Sequence, residues 1–296
     1  MTTRRGFMTG TGALAGFGWL NAGRRVCAAD GWDGLPGDIV RIEKESGGRL
    51  GVAVLETTSQ ARANHRADER FPMCSTFKML AAAAVLKRVE EGKERLDRRI
   101  RFEARDIVVN SAATKDRAGG DGMTLAELCE AAMIYSDNTA GNLILKSLGG
   151  PQAITAYART LGDPVTRLDR IEPDLNEARP GDPRDTTSPA AMLGNLQQLI
   201  LGETLSAESK SQLTTWLVGN KTGDTRLRAG LPKDWRVGDK TGAGEHGTTN
   251  DVGIAWPPQR APVLIAVYLT QTQTSAERRN ATLAAVGNAV TKALLG

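Results

Sequence analysis

A chain of 296 residues with 40% hydrophobic and 24% charged positions can bury a sizeable core, as one large domain or two interleaved ones. Its formal charge of +4 is no sign of a nucleic-acid partner, because Arg4, Arg5, Arg24 and Arg25 account for the whole excess and sit in a segment without acids. Three cysteines and two histidines, with no histidine beside a cysteine, do not make a zinc site, so no metal is expected.

Residues 1–29 open with a paired arginine in "TRRGFM", continue through the mildly apolar "TGTGALAGFGWL" and reach the small residues Cys27, Ala28 and Ala29. This is the layout of an export signal, and the arginine pair resembles the twin-arginine type, which predicts an exported, periplasmic protein. The apolar run falls short of the ~18 residues that a membrane span needs, and no later stretch is long and apolar enough to cross a bilayer.

The mature part starts with a predicted helix, "LPGDIVRIEKESGG", closed by glycine. The β-branched alternation of "RLGVAVLETTS" predicts a strand. From Ser75 to about Trp216 the pattern is helical, with "TFKMLAAAAVLKRVEEG", "TLAELCEAAMIYSDNTAGNLILKSLGG", "PQAITAYARTLG" and "SPAAMLGNLQQLILG" as its main runs. Strand character returns in "LPKDWRVGDKTGAG", "NDVGIAWPP" and "APVLIAVYLTQT", and a helix ends the chain. Strands from both ends must therefore share one sheet, with a helical block inserted between them.

Three residues in "FPMCSTFKML" have chemical potential: Cys74, Ser75 and Lys78. A histidine-based serine triad is poorly supported, because only His65 and His246 exist and no Gly-x-Ser-x-Gly elbow is present. On a helix Lys78 would share a face with Ser75, and a serine at a helix start has free backbone N–H groups nearby for an oxyanion. Ser-x-x-Lys alone is weak, since a serine there is usually only a cap. Two further motifs follow: Ser136-Asp137-Asn138 at a helix boundary, and Lys240-Thr241-Gly242 at the end of a strand pattern. A second Lys-Thr-Gly, residues 221–223, reads as a turn between helices.

In that order the three motifs resemble the signature shared by class A β-lactamases and penicillin-binding proteins. "RLDRIEPDLN", residues 167–176, resembles the Ω-loop pattern Glu-x-x-Leu-Asn of class A serine β-lactamases, with Glu172 and Asn176 at the matching places. The resemblance covers about residues 35–296. It implies an α/β, two-domain β-lactamase/transpeptidase-like fold, an antiparallel sheet flanked by helices from both termini plus an inserted all-α domain. The expected division is 30–73 and 219–296 for the α/β domain and 74–218 for the helical one, including an Ω-loop at about 167–185.

The same resemblance implies hydrolysis of penicillins and cephalosporins through an acyl-serine, with no cofactor and a monomeric enzyme. A D-alanyl-D-alanine peptidase and a penicillin-binding sensor that does not turn over are the alternatives. Ser75 is the implied nucleophile, Lys78 or Glu172 its base, and Ser136 and Lys240 serve the leaving nitrogen. The backbone N–H groups of Ser75 and Ala243 form the oxyanion hole. Asn138, Asn176, Thr241 and Gly242 bind substrate or water, and Arg170 with Asp185 braces the loop neck. Three positions depart from the family pattern. Thr249 replaces a strand arginine, leaving Arg226 (or Arg228) to anchor the substrate carboxylate. Asn110 stands where an aromatic often gates the cleft, and Gly244 removes the partner that Cys74 would need for a disulfide.

Overall fold

The computed structural model describes residues 29–296. In chain order it has α1 (Ala29–Ser46), β1 (Arg49–Glu56), β2 (Arg62–His65), α2 (Phe77–Glu90), α3 (Leu125–Ile134), α4 (Asn138–Leu148), α5 (Gln152–Thr160), α6 (Pro189–Ile200), α7 (Ala207–Val218), β3 (Arg236–Ala243), β4 (Thr249–Trp256), β5 (Val263–Thr270) and α8 (Ala276–Leu295). Two short two-residue pairings and single 3-10 turns join them. The five strands form one antiparallel sheet in the order β2-β1-β5-β4-β3. The two ends of the chain meet at its centre, where Arg49 lies opposite Thr270 and Glu56 opposite Val263.

Both faces of this sheet are covered, which explains why its central strands carry apolar residues at successive positions. Val263, Ile265, Val267 and Leu269 of β5 pack with Leu50, Val52 and Val54 of β1 against α1 and α8. The alternate residues Leu264, Ala266 and Tyr268, with Ala53 and Leu55, join the core of the helical block. The central strands therefore divide their side chains between two cores with period two.

At the centre of the helical block is α2, in which every residue from Phe77 to Leu86 is buried. A helix that is apolar all round belongs inside a protein, and the alanines at 81–84 let neighbouring helices approach it. That packing carries Lys78 into the interior with no exposed surface.

Two differences from the sequence reading have physical causes. The first helix begins at Ala29, before the expected start, because Trp32 packs on the core between α1 and α8 and Pro36 is held inside the helix. Strand β2 is a short polar edge with only Ala63 buried, so it has no apolar alternation to read. The long run 124–150 divides into α3 and α4 at Ser136, the helix boundary expected from the motif, because its φ of 56° suits no α-helix. The export signal expected over 1–29 lies, except for Ala29, outside the described residues. No described helix is long and apolar enough to cross a membrane.

Candidate active site

Ser75 lies in a 3-10 turn, Cys74–Thr76, that runs directly into α2. Cys74 has a φ of 46°, a conformation costing a non-glycine residue about 1–3 kcal/mol, and neighbouring groups hold it there. Thr76 Oγ1 donates to Met73 O at 2.9 Å and meets Tyr268 OH of β5 at 3.2 Å. Asn250 of β4 donates to Pro72 O and Met73 O at 2.8 and 3.1 Å. The sheet thus grips the turn before the serine from two adjacent strands.

One helical turn later, Lys78 Nζ reaches Ser75 Oγ at 2.9 Å. It is also 2.8 Å from Ser136 O, 2.7 Å from Asn138 Oδ1 and 3.1 Å from Glu172 Oε1. An ammonium has three protons for these four oxygens. Burial lowers the pKa of Lys78, with the Glu172 carboxylate opposing that shift. Ser75 Oγ is 3.2 Å from Glu172 Oε1, so the hydroxyl has a carboxylate to donate to while it accepts from the lysine.

The break between α3 and α4 supplies the next groups. The left-handed Ser136 sends its carbonyl to Lys78 and accepts from Lys240 Nζ at 2.9 Å through its hydroxyl. Asp137 caps α4 through Ala140 N at 2.8 Å and also holds the backbone of Ala113 and Thr114. Asn138 N donates to Asn110 O at 3.0 Å, tying the exposed 110 loop to the same corner. Asn110 therefore contributes backbone here, and the aromatic residue exposed beside this corner is Tyr135.

Lys240 is fully buried, and burial followed by repulsion from Lys78 puts its pKa well below the ordinary lysine value. Thr241 Oγ1 meets Thr222 Oγ1 at 2.5 Å. The Lys-Thr-Gly at 221–223, read as a mere turn, therefore contacts the strand motif it imitates. Gly242 lets β3 pass close to the serine turn, where a Cβ would stand 2.7 Å from Met73 O and 3.3 Å from Cys74 Cβ. Ala243 ends the strand at this crossing, and Gly244 follows with a virtual Cβ 2.7 Å from Cys74 Sγ. Among the described residues Cys74 pairs with no other cysteine; it is buried, and burial pushes its thiol pKa up.

Glu172 enters from the 167–185 loop with 1% of its surface exposed. Its Oε2 accepts from Asn176 Nδ2, while Asn176 Oδ1 has no hydrogen-bond partner among the described residues. The loop neck is tied at Asp185, which accepts from Asp169 N and Arg170 N at 2.8 and 2.9 Å and from Arg170 Nε at 2.6 Å. Arg170 also reaches Glu177 Oε2 at 2.6 Å.

The expected residues Ser75, Lys78, Ser136, Asn138, Glu172, Asn176 and Lys240 thus meet around one cleft. Arg226 stands behind it, giving Nη1 to Gly242 O and Asn250 O at 2.8 and 2.7 Å and Nε to Asn280 Oδ1 at 3.1 Å. Arg228 turns away toward Asp239 and the carbonyls of Leu217 and Val218.

Two contributors escaped the sequence reading. Asn142 clamps the backbone of Glu172, accepting from its N–H at 2.8 Å and donating to its carbonyl at 2.9 Å. Its position four residues after Asn138, on the same face of α4, was the available signal. Arg279 of α8 donates to Thr249 Oγ1 at 3.0 Å, so an arginine does approach the strand position that lacks one. Nothing local in the sequence marks that contact.

Gly141 offers a test of how tightly Lys78 is seated. A Cβ there would stand 2.9 Å from Lys78 Cε. Gly141→Ala is expected to fold and to lower kcat/KM about tenfold by displacing the ammonium a few tenths of an ångström. Steady-state kinetics beside a thermal melt separates that loss from unfolding.

Residues 36–294 match the Beta-lactamase enzyme family. The chain is 51% identical to Beta-lactamase OXY-2 of Klebsiella oxytoca over 262 residues, 88% of this chain and 90% of the relative. It is 52% identical to Beta-lactamase Toho-1 of Escherichia coli over 250 residues, 84% and 86% of the two chains. Among solved structures, the class A β-lactamase of the last common ancestor of Gram-negative bacteria shares 62% identity at a TM-score of 0.85, covering 87% of this chain and 98% of that one. The putative class A enzyme PenP of Rhodopseudomonas palustris shares 56% identity at the same TM-score. On the family match, these identities and the shared fold, the chain belongs to the β-lactamase enzyme family, in its class A serine branch.

Proposed function

We propose that this enzyme hydrolyses the β-lactam amide of penicillins and cephalosporins in two steps and so confers resistance to them. The observation carrying this reading is the placement of Glu172 and Asn176 against Ser75, because an acyl-serine turns over only where water can be activated beside it.

In the first step Ser75 Oγ attacks the lactam carbonyl carbon. Its proton goes to Lys78 or Glu172, both within reach. The backbone N–H groups of Ser75 and Ala243 receive the oxyanion. The C–N bond breaks as Ser136, in contact with Lys240, returns a proton to the ring nitrogen. Asn138, Thr241 and Gly242 line the substrate's amide and carboxylate, while Arg226, expected to anchor that carboxylate, instead holds the strands from behind through Gly242 O and Asn250 O. In the second step Glu172 takes a proton from water, which attacks the ester carbonyl; the acid leaves and Ser75 regains its proton. The unpartnered Asn176 Oδ1 offers that water an acceptor.

We further infer an exported, periplasmic monomer released from a twin-arginine signal, with the domain division at residues 73/74 and 218/219. Incubating the mature protein with a cephalosporin, while following ring opening and protein mass, tests the central claim. Stoichiometric acylation without turnover would instead indicate a peptidase-like or sensor protein.

The lysine pair also predicts a pH profile. A group whose pKa lies below the ordinary lysine value loses its proton, and its role as a cation, at lower pH. The alkaline limb of kcat/KM is therefore expected below the usual lysine range. Lys240→Arg, whose guanidinium stays charged, should move that limb upward. An unmoved limb would remove Lys240 from the cause.

A further inference from the structure

Behind the loop that carries Glu172, α4 and the 105–108 segment enclose a cavity of about 380 Å³. Val108, Leu143, Leu145 and Ile171 give it an apolar lining. Arg105 and Lys146 also line it, and neither forms an ion pair among the described residues. Asp106, the one acid there, is committed to the backbone N–H of Glu103 at 2.8 Å. Ile171 keeps 47% of its surface exposed, although it is a large apolar side chain.

From this combination we infer a binding site for a small amphipathic monocarboxylate, with an apolar body in the cavity and its head group at Arg105 and Lys146. Charge complementarity selects the occupant: two uncommitted cations beside an apolar hollow favour one anionic head on an apolar body.

The site is coupled to catalysis through two residues. Ile171 immediately precedes Glu172, and Asn142 lines the cavity while clamping the Glu172 backbone with both of its amide atoms. An occupant pressing on them shifts the carboxylate and slows deacylation; this second half rests on the role proposed above for Glu172.

The test titrates the protein with 4-phenylbutyrate, using uncharged 4-phenylbutyramide as the control. Saturable one-to-one binding is expected, with amide shifts at Asn142, Leu143 and Ile171 and about tenfold weaker binding of the amide. The double variant Arg105→Glu/Lys146→Glu should lose binding and keep its ligand-free turnover. At saturation with a cephalosporin, the carboxylate should lower kcat, leave KM unraised and increase the acylated fraction of Ser75 seen by mass. Absent binding, equal affinity in the double variant, or competition with substrate overturns the site. Binding that leaves the acylated fraction unchanged overturns the coupling. Glu172→Gln tests the deacylation role separately, so its failure leaves the binding result standing.

Discussion

Glu172→Gln is expected to halt the cycle at the acyl-enzyme, with kcat reduced about 10³-fold and one substrate fragment retained on Ser75. Glutamine keeps the size of the side chain and can still contact Asn176, but its amide cannot take a proton from water. The variant also separates the two candidate bases. If Lys78 receives the serine proton, the pre-steady-state acylation burst keeps its rate. If Glu172 receives it across the 3.2 Å that separates it from Ser75 Oγ, the burst slows as well. Ordinary turnover by the variant would refute the deacylation role.

Ser75→Ala is expected to remove the covalent adduct and lower kcat by on the order of 10⁵-fold or more. Cys74→Ala should keep activity within about tenfold, since it removes only a small buried side chain. The contrast follows from their surroundings. Ser75 Oγ lies between an ammonium and a carboxylate. Cys74 is fully buried, and burial raises its thiol pKa, so a thiolate is not available. Intact-mass measurement after exposure to a penicillin decides the matter: an adduct surviving in Ser75→Ala and missing in Cys74→Ala would reverse the assignment.

Motifs were legible where chemistry is local. Ser75 and Lys78 are one helical turn apart, so their spacing already implied contact. The left-handed Ser136 was readable as a helix boundary because Asp137 and Asn138 favour helix starts. The sheet's central strands were legible through their apolar content, and β2 was not, because an edge strand with one buried alanine has no pattern to show. The same limit applies to the site's through-space partners. Arg279 meets Thr249 from a helix at the far end of the chain, and Thr222 reaches Thr241 from a motif that looked like a chance copy. Both contacts depend on how elements dock, which residue spacing does not encode. The Arg170–Asp185 pair lay between these cases: its residues were named from the loop pattern, while the two backbone N–H groups that Asp185 also accepts became visible only in three dimensions.

The joining of β1 to β5 has a consequence for how the enzyme comes into being. Thr57 donates to Pro262, 205 positions further along the chain. Loop-closure entropy grows only with the logarithm of length, so this separation costs the finished protein little. It costs time instead, because contacts distant in sequence slow the search for the native state. The serine turn is gripped by β4 and β5, which the ribosome makes after the whole of the helical block. Antibiotic-destroying capacity should therefore arise only once the last strands have been synthesised and docked, and a fragment ending before residue 249 should carry every helix of the block yet hold its nucleophile unsupported.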